Sequence, residues 1–291
     1  MVELPLVFAT ASAENFALGG VKLAQKIGAE TLLFGSECGD ITMLRLTAEM
    51  LSSPSVNQRI KEEISKGVSY PKAVANALGI DILDSPNNVL ALEYLKAIDK
   101  IGAHIEPVTI KRQNNYNSAH PKGRYASSTA IRETPSIADK FSFPYVAQDI
   151  DVKTEEEFKQ FAVHMLSLMT AEQIGQIEGM TEGIENRIFA ADKSNGYEAM
   201  LEEIKTKRYT RAKLQRLVLS SVLGVTKQYA AQTLHGNIPT NILAVSQRAT
   251  KLLALEDKYY DVVCQRADRL YYSFSTQKPP IKMQVVEQPK K

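Results

Sequence analysis

From residue 4 to about residue 135, short apolar runs alternate with stretches of helical period, and beyond Lys153 only the helical period remains. Strand-like runs separated by helices predict a parallel sheet in an α/β domain, whereas a purely helical pattern predicts a second domain of helices. A length of 291 residues accommodates both. The expected boundaries are an α/β domain over residues 1–148, a helical domain over 149–275 and a flexible tail over 276–291, rich in Pro, Lys and Gln. The chain change falls between Pro144 and Asp151.

Within the first domain the runs are compact. Leu4–Thr10 is apolar but broken by Pro5, and Ser12 can cap a helix carrying Phe16, Val21, Leu23 and Ile27 to Gly28. Thr31–Phe34 reads as a buried strand entering the loop Gly35-Ser36-Glu37. Helices are predicted from Ile41 to Leu51 behind an Asp40 cap, over 56–66 and 70–78, and from Asn87 to Ile101 with a stop at Gly102. His104–Ile110 is the next strand. Parallel sheets take ligands at the carboxyl ends of their strands, so the turns after Phe34 and Ile110 are the places to look for chemistry. In the second half Phe158, Phe161, Met165, Leu168 and Met169 recur at helical spacing, a stripe expected to be core.

No apolar run is long enough to cross a bilayer, and Met1-Val-Glu-Leu-Pro5 lacks the basic and apolar regions of a secretory signal. Cys38 and Cys264 make no disulfide framework, and His104, His120, His164 and His235 lack metal-ligand spacing. A cytoplasmic chain with no resident protein-bound metal is expected. The net charge is only +2, with 15 bases against 16 acids in residues 1–150 and 20 against 17 beyond. Nucleic-acid contact would therefore need a concentrated patch. Two stretches qualify. Pro107–Arg132 contains no acid but has Lys111, Arg112, Lys122, Arg124 and Arg132, and Lys205–Arg216 is half basic, again without an acid.

Ala126-Ser-Ser-Thr-Ala-Ile-Arg132 is the strongest local signal. Backbone N–H groups at a helix start, with the hydroxyls of Ser127, Ser128 and Thr129, make a cradle for phosphate oxygens, and Arg132 can add a forked cation. An ordinary Ser cap with a surface arginine is the plainer alternative. In Ser85-Pro-Asn-Asn-Val89, Asn88 can cap the following helix and Asn87 can offer its amide to a base or ribose; plain capping again competes. Gly35 permits close approach of a ligand, and Arg112 stands just past a strand end. In the basic segment, Lys205, Arg208, Arg211, Lys213 and Arg216 spread over a wide arc opposite Leu214, Leu217, Val218 and Ser221, free with Lys207 to neutralise phosphates, while Tyr209 could stack on an unpaired base. A solvated helix face is the alternative there.

These segments, in this order, resemble the bacterial tRNA(Met) cytidine acetate ligase family of nucleotidyltransferase-like enzymes. The matching stretches are Val2–Pro5 with Ser12–Phe16, then Phe34–Ile41, Pro86–Lys96, Ile110–Arg112, Ala126–Arg132, Glu182–Arg187 and Lys205–Thr210. The resemblance implies a Rossmann-like α/β domain and a two-step reaction. ATP and acetate would give acetyl-adenylate and pyrophosphate, and the acetyl group would pass to the wobble cytidine of elongator tRNA-Met. It implies ATP contacts for Gly35, Asn87 and Arg112, with Mg²⁺ accompanying the nucleotide. The family's Asn-Pro-Phe-His-Asn-Gly-His type loop has no counterpart here. The expectation is therefore an N-terminally incomplete domain whose catalytic histidines lie upstream of Met1, impaired in adenylation yet able to bind tRNA. A small-molecule nucleotidyltransferase and a non-catalytic RNA-binding subunit are the competing functions.

Overall fold

The computed structural model describes residues 1–113, 118–121, 123–141, 152–206, 209–255, 261–274 and 284–286. The chain divides into two compact units, one of Ala13–Ile150 and one that joins Met1–Ser12 to Asp151–Lys291. The predicted change of chain, Pro144–Asp151, lies outside the described residues. The first twelve residues depart from the expected 1–148 grouping. They form a short strand β1 (Val2–Glu3) and a helical turn α1 (Leu6–Ala9), and they pack with the later half of the chain. Pro5 explains the helix where an apolar run suggested a strand: its ring sets φ at −52° and its missing N–H costs nothing at a helix start.

In the unit of residues 13–150, helix α2 (Ala13–Lys26) leads to strand β2 (Thr31–Ser36). Helices α3 (Ile41–Ser52), α4 (Pro54–Ser65), α5 (Tyr70–Leu78) and α6 (Pro86–Ile101) follow, then strand β3 (Glu106–Lys111). β2 and β3 run parallel, with Leu33 opposite Val108, Gly35 opposite Ile110 and Ser36 opposite Lys111. The chain between them crosses over through four helices, as parallel pairing requires. α6 stops at Gly102, whose φ of 62° is the left-handed conformation that closes a helix. One sheet face is packed: Leu32 lies against the cluster of Ala17, Val21, Ala97, Ile98 and Ile105, and Phe34 against Leu44, Leu92 and Leu95. Phe34 also stacks on Tyr94, ring centroids 5.5 Å apart. The other face leaves Leu33, Val108 and Ile110 exposed. Beyond β3 the described residues include the short helices α7 (Ser128–Glu133) and α8 (Ala138–Phe141).

The second unit is built on α9 (Val152–Leu168), α10 (Ala171–Gly175), α11 (Ile184–Ala190), α12 (Gly196–Ile204), α13 (Arg211–Leu223) and α14 (Lys227–His235). Leu166, Ile174, Ile188, Met200, Leu201, Ile204 and Leu214 are fully buried together. Of the expected α9 stripe, Phe158 and Met169 pack against this core, whereas Leu168 is exposed. The unit is not purely helical as expected. β1 pairs antiparallel with β4 (Asn241–Ile242), and β5 (Ala244–Ser246) pairs in parallel with β6 (Gln284–Val286), inside the stretch expected to be a mobile tail. Helix α15 (Val262–Phe274) is capped by Asp261, which accepts from the N–H groups of Val263 and Cys264. The Cys264 sulfur accepts the Leu6 N–H, and burial pushes its thiol pKa well up, so it serves packing rather than reactivity.

Candidate functional site

At the carboxyl ends of β2 and β3 a cavity of about 460 Å³ is lined by Leu33, Phe34, Gly35, Ile110, Lys111, Arg112, Gln113, Tyr125 and Ala126. That is the size and place at which α/β sheets hold small ligands. Gly35 and Arg112, singled out from sequence, meet here. A Cβ on Gly35 would stand 3.4 Å from Arg112 Cγ, in van der Waals contact, so the Arg112 side chain runs directly alongside the Gly35 backbone. The Arg112 backbone N–H donates to the Ser36 carbonyl, which extends the sheet ladder by one residue and fixes the side chain at the cavity. Its Nε is buried with no hydrogen-bond partner. A buried donor without an acceptor is costly, and the half-buried guanidinium that carries it is a permanent cation at the cavity wall, the kind of group that pairs with phosphate.

The floor of the site is a polar knot. Ser36, fully buried, bonds the Thr109 hydroxyl at 2.7 Å and accepts the Gly39 N–H at 3.0 Å. Gly39 has φ 69°, and a Cβ there would come within 2.4 Å of Lys111 Cβ. The loop after β2 therefore lies flat against the end of β3 because residue 39 has no side chain.

Asn87 and Asn88 hold this loop from the other side, in a way the sequence reading missed. The Glu37 carboxylate accepts from the Asn87 N–H, from Asn87 Nδ2 at 2.7 Å and from the Asn88 N–H at 2.8 Å. In return, buried Asn88 accepts the N–H groups of Glu37 and Cys38 on Oδ1, at 2.9 and 3.1 Å. Asn88 is thus not the cap of its own helix, and Asn87 bonds Glu37. The start of α6, where unsatisfied N–H groups and the helix dipole favour an anion, is filled by the protein's own carboxylate. The signal available beforehand was an acid in a glycine loop and a Pro-Asn-Asn helix start with no acid in its first turn.

The Ser127–Arg132 segment divides. Ser127 is the N-cap of α7: buried, it accepts the Ala130 N–H at 2.9 Å and donates to the Ser118 carbonyl. Its hydroxyl is committed to the fold, as in the plainer reading. Ser128 and Arg132 are exposed, and Thr129 is half-buried. None of these four lines the cavity, whereas Tyr125 and Ala126 just before them do.

The basic segment of the second unit is corrected more strongly. Lys207 and Arg208 lie outside the described residues. Tyr209 is buried in the helical core, its hydroxyl donating to the Thr181 carbonyl, so it cannot stack on a base. Arg211 pairs with Glu198 and Glu202, and Lys205 with Glu202. The Arg211 guanidinium holds the Glu198 carboxyl below its usual pKa, helped by Lys159. Lys213 sits over the Tyr209 ring, 4.1 Å from its centroid. Arg216 remains exposed beside a second cavity with Phe158, Tyr197 and Leu219. The acid-free window in sequence is not acid-free in space, because α12 brings two glutamates alongside. Among the described residues no group of three or more His, Cys, Asp or Glu could hold a metal ion, and no helix is long and apolar enough to cross a membrane.

The description of the HIGH Nucleotidyl Transferase family matches residues 1–269. That match starts at the first residue and gives no support to the expected incompleteness of the domain. The chain is 37% identical over 259 residues to a tRNA(Met) cytidine acetate ligase of Acetivibrio thermocellus, a match covering 78% of this chain and 62% of that protein. It is 34% identical to one from Thermoanaerobacter sp. (strain X514), covering 78% and 63%. The chain thus spans a little over three fifths of the length of these two relatives. Among solved structures, Thermotoga maritima TmcAL bound with alpha-thio ATP matches with a TM-score of 0.76 at 26% identity, over 97% of this chain and 81% of that one. The apo form matches with a TM-score of 0.72 at 27% identity, over 97% and 74%.

Proposed function

Because the chain belongs to the HIGH nucleotidyl transferase family, we propose that it activates acetate with ATP and acetylates the wobble cytidine of elongator tRNA-Met. In the first step an acetate oxygen attacks the α-phosphorus and the bond to pyrophosphate breaks. In the second the cytidine exocyclic amine attacks the acetyl carbonyl, AMP leaves and the nitrogen loses a proton. Mg²⁺ arrives with the triphosphate and offsets part of its charge. The reaction belongs in the cytoplasm, where ATP and tRNA meet.

One observation carries this reading: Arg112, at the end of β3, lines the cavity with its Nε buried and unpaired. Negative charge grows on the α-phosphate and on the departing pyrophosphate, and a fixed guanidinium there stabilises the transition state more than the ground state. Gly35 lets the nucleotide approach the backbone. Asn87 and Asn88 act through Glu37, holding the loop that carries Gly35 in place. Ser127 shapes the start of α7, with Ser128, Thr129 and Arg132 beside it as candidate phosphate contacts. Half-buried Lys213 and exposed Arg216, with Lys205, Lys207, Arg208 and Arg211, remain the candidate tRNA contacts of the helical unit, and Tyr209 supports that helix from beneath.

A pyrophosphate-release assay with ATP, acetate and a tRNA-Met transcript tests the proposal. The 291-residue polypeptide has no His-Xaa-Gly-His sequence, so its release rate is expected to be low but dependent on acetate and reduced at least tenfold by Arg112→Ala. Acetate-independent release, or none above background alongside tight ATP binding, would contradict it. A small-molecule nucleotidyltransferase would use the same cavity. The pairing of Arg211 and Lys205 with acids favours that second reading, and activity on a small acceptor without tRNA would select it.

A further inference from the structure

The helical unit holds a cavity of its own, of about 400 Å³, built by three helices. Gln215, Arg216 and Leu219 come to it from one face of α13, the helix that buries Leu214, Leu217 and Val218 on its other side. Phe158 and Lys159 come from α9, and Tyr197 from the first turn of α12. We propose that this cavity takes one unstacked nucleotide, its base against Phe158 and Leu219 and its phosphate on Arg216, with Tyr197 and Gln215 bonding the edge of the base. The inference rests on the proposed RNA-acetylating function, in which an RNA strand supplies that nucleotide.

Three observations carry it. Tyr197 is 7% exposed, yet among the described residues its hydroxyl makes no hydrogen bond. Buried tyrosines normally satisfy that group. Tyr209 and Tyr229 of the same unit do so, on Thr181 and Asp261. A phenol held at a cavity wall without a partner calls for one from outside. Gln215, exposed beside it in the lining, also has no partner among the described residues, and its amide both donates and accepts. The charges, finally, leave one cation available. Lys159 is held by Glu155, Glu156 and Glu198 at 3.0, 2.7 and 3.4 Å, so the acid and the lysine that line the cavity offset each other. Arg216 is exposed and forms no ion pair among the described residues.

A bare anion would use Arg216 and leave the apolar wall and the amide idle. An apolar molecule would leave Arg216 and the Tyr197 hydroxyl unmatched. A nucleotide answers all of them: a flat ring for Phe158 and Leu219, an edge of donors and acceptors, and a phosphate for a forked guanidinium. The cavity is of the size that small ligands occupy.

The test uses the full chain and two probes, a fluorescein-labelled tRNA-Met transcript read by anisotropy at several salt concentrations and free CMP and AMP read by calorimetry. Arg216→Glu is expected to weaken RNA binding about tenfold and to lower the log–log salt slope by about 0.7. Tyr197→Phe keeps the buried ring and removes only the hydroxyl; it and Gln215→Ala are each expected to cost about fivefold, with the salt slope and the thermal melt unchanged. A loss in Arg216→Glu alone would reduce the cavity to a surface phosphate contact and overturn the proposal. Wild-type binding of both probes in all three variants would overturn it, as would a wild-type chain that binds neither. Losses confined to CMP and AMP would assign the cavity to a free nucleotide and overturn its RNA role. If RNA binding responds as expected but no acetate-dependent pyrophosphate is released, this inference stands and the acetylation reading falls. Acetate-dependent turnover with RNA binding indifferent to all three variants gives the reverse.

Discussion

Removing the Glu37 carboxylate tests how the site is held together. It receives three N–H groups from the first turn of α6, and Asn88 answers with two bonds to the loop. A hydrogen bond to a charged group nets about 1.5–3 kcal/mol, and an anion at a helix start adds about 0.3–1 kcal/mol. Glu37 is half-buried, and water replaces part of what is lost. Glu37→Ala should therefore cost about 2–3 kcal/mol, and Glu37→Gln, which keeps one acceptor without the charge, about 1 kcal/mol. With no Trp to report and two units to separate, native-state hydrogen exchange of the α6 amides is the appropriate assay. Crossing Glu37→Ala with Asn88→Ala should give a coupling of at least about 1 kcal/mol. ATP affinity should fall in both single variants, since the Gly35 loop loses its anchor. If Glu37→Ala alters α6 protection by less than about 0.5 kcal/mol, or couples to nothing at Asn88, the clasp is not what positions the loop.

Further tests address the other unit and the loop floor. Gly39→Ala combines left-handed strain with a contact onto Lys111 and should destabilise the α/β unit by about 2–4 kcal/mol; an unchanged thermal melt would show that the loop does not lie against β3. Tyr209→Ala should destabilise the helical unit by about 3–5 kcal/mol, and an RNA-binding defect with an unaltered melt would restore Tyr209 as a contact. Tyr197 has its pKa pushed up to about 12, chiefly by burial and then by Glu198. Its folded value is raised, so the stabilisation is intact below the ordinary value near 10 and is lost as pH climbs from about 10 towards 12. Ultraviolet titration should show this tyrosinate forming after those of exposed tyrosines; simultaneous ionisation would refute its burial.

Much of the architecture was legible because local rules and the tertiary fold agree. The alternation from Thr31 to Ile110, the Asp40 cap and the stop at Gly102 all appear where period and capping chemistry put them. That Gly35 and Arg112 line one cavity was legible for a related reason: strand ends are where parallel sheets leave room. Partners distant in sequence were not legible. Glu37 and Asn87 are 50 positions apart, so the amide read as spare is in fact bonded. Glu198 and Glu202 come from a different helix than Arg211, so a charge window counted along the chain missed its own neutralisation. Tyr209 follows a basic run, yet the helical core decides its environment. Cys264 and Leu6, 258 residues apart, bring the first residues into the second unit, which no periodicity could reveal.

On the proposed function, a triphosphate lies at the carboxyl ends of β2 and β3 against Arg112. A crystal structure of this chain with a non-hydrolysable ATP analogue measures that directly. Phosphate oxygens are expected within about 3 Å of the Arg112 guanidinium, with the nucleotide passing over Gly35. Density for the analogue elsewhere, or Arg112 turned away from it, would refute a nucleotide site at these strand ends.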